Sequence, residues 1–475
     1  MPPTVAGLVF GLLIAGMFLL NRDRTAKTSI ALWIPVMWLL IAGSRAVSQW
    51  AAVMGFSSPV TSDLSSQYMD GSPLDRNVFT ALLALGLIAL VTRRRQVIAV
   101  LKANGAIVIF FLYCGLSVLW SDYSDVSFKR WIKSLGDLVM VLIVVTESDR
   151  LAAIKRVLSR VGFVVIPLSV LFIKYYPELG REYRPDFGFW KLSYTGITTS
   201  KNSLGMVTLV FGVGCAWQFL QALKRRGTKE WARPVIAQGI LLAMVFWLFW
   251  TINSATSMTC FLMATGLILV TSHRVIHRPA MVHVLVFAMI TVSLFALFLD
   301  TGGSLVGVLG RNPTLTGRTA IWDLTLGMVK NPLVGTGFES FWLGQRLQKM
   351  WDAYWWHPNE AHNGYLEIYL TLGWIGVAVL AIFLFSGYRS IADSLHRDPG
   401  LSGLRIALFL IALVYNLTES AIRMGNPIWI FLLMAIATGS KASAFQRHPG
   451  TAQIHSERLR PEEEVPVTVA YEEVV

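Results

Sequence analysis

The chain has 475 residues, 54% of them hydrophobic and only 15% charged, where a soluble domain carries about 25% charge; an ordinary water-soluble globule is excluded. Lysine and arginine exceed the acids by enough to give a formal net charge of +13, which in so apolar a chain reads as positive-inside loops and not as a nucleic-acid surface. Cys114, Cys215 and Cys260 all lie in apolar segments, so they read as small buried hydrophobes and argue against a disulfide framework or a metal cluster.

Apolar runs of roughly 16–20 residues, enough to cross a hydrocarbon core about 30 Å thick, recur along the chain. In order they lie at 5–20, 29–43, 77–92, 105–120, 134–146, 158–174, 202–222, 234–252, 255–271, 280–299, 364–386, 404–420 and 427–440. The predicted fold class is all-α: a polytopic integral membrane helical bundle of about 12–13 spans over residues 1–440. The run at 5–20 has no basic residue ahead of it and no cleavage site behind it, so it reads as a span and not as a signal peptide.

Taken alternately, the connecting loops fall into two sets. Arg22, Arg24 and Lys27; Arg93, Arg94 and Arg95; Lys155 and Arg156; Lys224, Arg225 and Arg226; Arg274 and Arg278; and Arg389 and Arg397 mark short basic loops, which belong to the cytoplasm. The loops at 43–76, 121–133, 174–201 and 300–363 then face outward, with the N-terminus. The tail at 441–475 contains Ser, Pro and Glu without apolar periodicity and is expected to be a disordered cytoplasmic segment. Basic residues persist on the outward side: Lys129, Arg130 and Lys133, then Lys174, Arg181, Arg184, Lys191 and Lys201, then Arg311, Arg318, Lys330 and Arg346. Against the positive-inside tendency, they point to an anionic partner, either lipid headgroups or a phosphorylated lipid substrate.

Polar constellations stand at the outward ends of these runs. Lys201 and Asn202 open the run at 202–222, where Lys201 either holds an anion as a point charge or snorkels to the interface. The turn Asn253-Ser254-Ala255-Thr256-Ser257 either lines a cavity or only joins two helices. The long loop at 300–363 carries most of the expected chemistry. In Thr316-Gly317-Arg318-Thr319-Ala320-Ile321-Trp322, the Arg sits where a helix dipole disfavours it, so an anion near the same N-terminus would offset the cost, and a guanidinium fork suits phosphate. Pro332, Gly335 and Gly337 form a turn. Phe338, Phe341 and Trp342 are expected to cover the loop's own small core or to sit at the interface, and Trp351, Tyr354, Trp355 and Trp356 share those readings or stack on sugar rings. His362, flanked by Glu360 and Asn363 with Glu367 about one turn on, can act as a general base near neutral pH. His357 and His362 lack the spacing of a metal pair, so no metal is expected.

Thr316-Gly317-Arg318-Thr319 with Ile321-Trp322, the turn Asn331-Pro332-Leu333-Val334-Gly335-Thr336-Gly337, and Ala361-His362-Asn363-Gly364-Tyr365, in that order and spacing, resemble the O-antigen ligase and polysaccharide polymerase family. Leu119-Trp120-Ser121 with Ser127-Phe128-Lys129-Arg130, and Thr199-Ser200-Lys201-Asn202, are similar to its earlier motifs. Lys201-Asn202 and Thr314-Leu315-Thr316-Gly317-Arg318 resemble its exopolysaccharide polymerase branch most. The resemblance implies a GT-C-like enzyme of the bacterial inner membrane, without cofactor or metal, that acts on glycans carried by undecaprenyl pyrophosphate. It implies that Arg318 and Lys201 hold the pyrophosphate and that His362 deprotonates or orients an acceptor hydroxyl, with Asn363, Glu360 and Asn202 in support. Membrane lipids, a chain-length regulator and a flippase are the implied neighbours. The chain departs from the family pattern in two places: many members carry Arg where Lys201 stands, and Thr256-Ser257 replaces a common Arg after the Ser-containing turn.

A polymerase joining lipid-linked repeat units is the leading expectation, and a ligase moving finished glycan to lipid A core is its near neighbour. A lipid-linked glycan transporter is the reading from another class. Transporters gather polar groups around a midplane site within their spans, whereas here polarity concentrates in the outer loops, with Asp137 and Arg160 the notable charges within the runs.

Overall fold

The computed structural model describes residues 1–23, 26–56, 69, 71–186, 189–227, 231–272, 279–298, 318–395 and 399–437. The predicted tail at 441–475 and the first part of the long loop, through Gly317, lie outside the described residues.

Each predicted apolar run coincides with a helix, but fewer of these helices are independent spans than the runs suggest. Among the described residues, seven are long and apolar enough to cross a membrane, or up to nine if each of two bent pairs counts as one span. The bends are 65° between Ile30–Ala42 and Val47–Val53, and 90° between Arg94–Ala103 and Gly105–Trp120. The second break falls at Asn104-Gly105, a pair that favours turns over helix continuation. The predicted run at 134–146 is the apolar half of a longer helix, Ser124–Val145. The last helix, Pro427–Ile436, is buried at every residue and rises only about 15 Å, so it is a core element rather than a lipid-facing span. Hydropathy counts apolar runs and cannot separate those two uses.

Four helices are largely buried: Arg150–Tyr175, Lys201–Leu223, Pro399–Tyr415 and Pro427–Ile436. Asp137, the acid predicted within a span, has a structural task. Its carboxylate accepts from Trp38 Nε1 and from the backbone N–H of Gly425, each at 2.8 Å. Gly136 leaves room for the same Trp38 ring, which a Cβ would meet at 2.3 Å. A buried carboxylate needs such donors, and these fasten the chain just before Pro427.

One element was not predicted. Arg181–Asp186 and Phe189–Tyr194 form an antiparallel hairpin, with Arg181 opposite Tyr194. It leads from the end of the Arg150–Tyr175 helix to the start of Lys201–Leu223.

The long loop, from Arg318 onward, contains two short helices, Arg318–Leu326 and Gly344–Ala353. Ile321, Phe341, Trp342, Leu347 and Met350 pack with Leu370 of the next helix as a separate small core, as the aromatic spacing suggested. Phe338 instead joins the main core. The turn at 331–337 closes onto an interruption in the Gly364–Ser394 helix. Gly373 leaves helical geometry there at φ 65 and ψ −168, and Leu333 stands where its Cβ would be, at 2.3 Å. Thr336 and Gly337 donate to the carbonyls of Leu370 and Thr371 at 3.2 and 2.8 Å, while Trp374 and Ile375 donate to Pro332 and Leu333 at 2.9 and 3.1 Å. Backbone groups freed by the break are thus satisfied by the loop, the condition for irregular backbone inside a membrane protein.

Candidate active site

The predicted run at 404–420 stops being helical at Tyr415. Asn416 explains the exit. Its side-chain oxygen accepts from the N–H groups of Ala421 and Ile422, both at 2.9 Å, folding 416–422 into a polar turn. The carbonyl of Asn416 receives Gly364 N–H at 2.9 Å, and a Cβ on Gly364 would lie 1.9 Å from Asn416 Oδ1. Only glycine permits this docking. Asn363 caps the Gly364–Ser394 helix through Tyr365 and Leu366 N–H, each at 3.0 Å, and its amide donates to Leu417 O at 3.3 Å. The result carries His362 against Glu419.

Glu419 is the centre of the site, and its side chain is 11% exposed. Arg318 Nη2 donates to Oε1 at 2.8 Å, and Arg318 Nη1 donates to the carbonyl of Thr418. Asn202 Nδ2 donates to Oε2 at 3.1 Å. His362 Nδ1 lies 3.3 Å from the same Oε2 and 3.0 Å from Glu360 Oε1. Glu360 is tied in turn to Arg423 Nη1 at 3.3 Å, and Arg423 Nε stands 3.9 Å from Glu339.

His362 holds φ 52 and Glu339 φ 53, in the left-handed region that non-glycine residues seldom occupy. Such backbone persists where the surroundings over-determine it. Around His362 they do: Trp322 Nε1 donates to Ala361 O at 2.8 Å, and Ala361 N–H donates to Glu367, which also accepts from Trp342 Nε1 at 2.9 Å.

Burial disfavours charge on His362, but the hydrogen bonds and charges of Glu360 and Glu419 outweigh it and push the imidazole up to about 9. Burial likewise works against the Glu360 carboxylate, yet the His362 hydrogen bond, with the charges of His362, Arg423 and Arg318, holds it below the usual range. With Nδ1 turned to two carboxylates, the other ring nitrogen, Nε2, is left for a substrate.

Of the predicted residues, Arg318, His362, Glu360 and Asn202 are brought together through Glu419, and Asn363 positions His362. Lys201 begins the helix that supplies Asn202. Glu419, Arg423 and Glu339 were missed. For Glu419 the only signal was one acid at the end of an apolar run, easily lost in hydropathy averaging; Arg423 and Glu339 carried none. Three of the other basic residues expected to face outward are engaged by protein: Arg346 pairs with Asp122 at 2.6 Å, Arg181 donates to Ile173 O at 2.9 Å, and Arg130 donates to Glu339 O. Arg311 lies outside the described residues. Glu360, His362 and Glu419 offer ligand atoms within 4.8 Å of one another, a set able to hold a metal ion, although the arginines and Asn202 already engage both carboxylates. Trp356 lies beside His362, ring centroids 6.2 Å apart and planes 30° apart, with Trp356 41% exposed.

Residues 188–381 match the O-antigen ligase family, a segment that includes Lys201, Arg318 and His362 and ends before Glu419. Over 321 residues the chain is 27% identical to the exopolysaccharide production protein ExoQ of Rhizobium meliloti (strain 1021), covering 64% of this chain and 70% of that one. The chain thus combines several membrane-length helices with a segment that matches the O-antigen ligase family and, over 64% of its length, a similarity to an exopolysaccharide production protein.

Proposed function

We propose that the protein is an inner-membrane glycosyltransferase that polymerises oligosaccharide repeat units carried on undecaprenyl pyrophosphate, working on the periplasmic face. The observation that carries this reading is the meeting of Arg318 and His362 on one carboxylate, Glu419, where helix ends gather at one side of the bundle. An anion-binding group and a proton-transfer group on one acid form a site for displacing a phosphate leaving group. The similarity to an exopolysaccharide production protein favours polymerisation. The loop at 300–363 is the proposed site-bearing subdomain.

In the proposed reaction an acceptor sugar hydroxyl attacks the anomeric carbon of the lipid-linked glycan. The new C–O bond forms as the bond to the pyrophosphate breaks, the pyrophosphate leaves with the electron pair, and the linkage inverts. Arg318 has five N–H donors, and the two bonds to Glu419 and Thr418 leave donors for the pyrophosphate oxygens, with Lys201 adding a point charge. His362 Nε2 takes the hydroxyl proton, while Nδ1 donates to Glu360 or Glu419 and so fixes the tautomer. No metal is assigned a role. Trp356 offers its face to the acceptor sugar beside the base.

A deletion strain that loses long glycan chains but keeps short glycan attached supports polymerisation; chains of normal length left unattached to lipid A core favour the ligase reading. Purified protein that moves lipid-linked repeats across a bilayer without consuming them supports transport and overturns both.

A further inference from the structure

The described residues line an open cavity of about 710 Å³ that the candidate active site does not use. It lies where the end of the Pro3–Leu20 helix meets the first half of Arg150–Tyr175. These helices are antiparallel: at their other end Tyr176 Oη donates to Pro3 O at 3.0 Å, and the chain runs on from there through the hairpin to Lys201. The cavity is therefore at the opposite end of this helix pair from the active site.

Its wall is unusually cationic. Arg22, Arg156 and Arg160 line it against one carboxylate, Asp23. Arg156 and Arg160, one helical turn apart, share a helix face. Arg156 spends its donors on uncharged acceptors: the carbonyls of Asp23 and Ala26 at 3.0 and 2.9 Å, and the Thr28 hydroxyl. Arg160 lies over the Trp33 ring at 4.1 Å, and its Nη1 is buried with no hydrogen-bond partner among the described residues. That nitrogen is out of reach of a water-sized group, so a ligand in the cavity is met by the other atoms of the Arg160 side chain, which lines the wall.

The rest of the wall has two characters. Ser159, buried, accepts from Asn21 at 3.0 Å and donates to Gln218 at 2.9 Å. Phe18 and Phe163 meet edge to face at 5.6 Å, an apolar surface next to the arginines.

We propose that this cavity is a binding site for a phosphate-bearing ligand, its oxygens received by Arg160 and Arg22 beside Arg156. Guanidinium forks match phosphate oxygens in geometry and charge, and three guanidinium groups facing one carboxylate leave room for an anion. The phenylalanines suit the glycerol and upper chain of a phospholipid, while a free phosphate needs only the arginines. The inference is independent of the reaction proposed for the other end of the molecule.

The test uses full-length protein purified and delipidated in detergent, with thermal melting followed against inorganic phosphate and against short-chain phosphatidylglycerol. A saturable rise in melting temperature is expected with at least one probe, with apparent affinity at least about tenfold weaker in Arg160→Gln and weaker in Arg22→Gln. A response to phosphatidylglycerol alone identifies a lipid headgroup; a response to both identifies phosphate as sufficient. Arg22 is exposed at a helix end, so Arg22→Gln keeps the test open if Arg160→Gln does not fold. No saturable shift with either probe, or shifts unchanged in the folded variants, overturns the proposal.

Discussion

Arg318 and Glu419 stand 2.8 Å apart, joining the first turn of a loop helix to a turn that begins where a core helix ends. The pair places a guanidinium where it can meet a second anion while the acid restrains His362 and Asn202. The predictions below test that division of work.

Glu419→Gln preserves shape and removes charge. The turnover rate on lipid-linked repeats is expected to fall by about 100-fold, in the range of a lost proton-transfer arrangement. With one carboxylate gone the His362 imidazole should also titrate lower than about 9. NMR of labelled His and steady-state kinetics check both parts; an unchanged turnover removes Glu419 from the site.

The pH dependence has a definite sign. His362 is charged below about 9, and a base must be neutral, so kcat/KM should rise by about tenfold per pH unit approaching that value and then level off. A profile that falls through the same range assigns the charged imidazole, acting on the leaving pyrophosphate. Stability runs the other way. The folded value lies above the ordinary 6.5, so the contribution of His362 is complete below about 6.5 and lost as pH rises through about 9. Melting temperatures measured across that window check it.

Arg318→Lys keeps the charge and loses the fork. A rise in KM for the lipid-linked donor of about tenfold is expected, with near-native melting, whereas Arg318→Ala should lower both activity and melting because Glu419 loses its ion pair and Thr418 its donor. Equal kinetics for Arg318→Lys and the native protein assign the arginine a purely structural role.

Metal chelation should leave the rate unchanged, since the carboxylates of the Glu360, His362 and Glu419 group already answer to Arg318, Arg423 and Asn202. Loss of activity with EDTA, restored by a divalent ion, reverses the metal-free reading.

Trp356→Ala should raise KM for the acceptor by the equivalent of about 1 kcal/mol, one exposed aromatic contact, leaving donor KM alone. Competition assays with acceptor fragments separate the two constants.

How much was legible in the sequence follows from what holds each residue in place. His362 and Arg318 stand beside helix starts and turn residues, which are local signals. Glu419 is invisible to the same reading because hydropathy averaging absorbs one acid at the end of an apolar run, and the bonds of Asn416 to Ala421 and Ile422 that carry it out of the helix are particular to the folded turn. The hairpin was missed because Arg-Glu-Tyr-Arg-Pro-Asp at 181–186 shows no apolar alternation. The bends at 42–47 and 103–105 join the expected runs to short helices, Val47–Val53 and Arg94–Ala103, that fall in expected loops, a distinction that depends on neighbours rather than on composition.

The interruption at Gly373 bears on how the protein is made. A segment entering the bilayer with unpaired peptide groups is penalised by several kcal/mol for each, and here the partners for those groups come from the turn at 331–337. The Gly364–Ser394 stretch is therefore incomplete as an insertion unit on its own. Its settled place in the bilayer requires that the turn at 331–337 fold back onto it, which makes the assembly of the long loop a checkpoint in the placing of this helix.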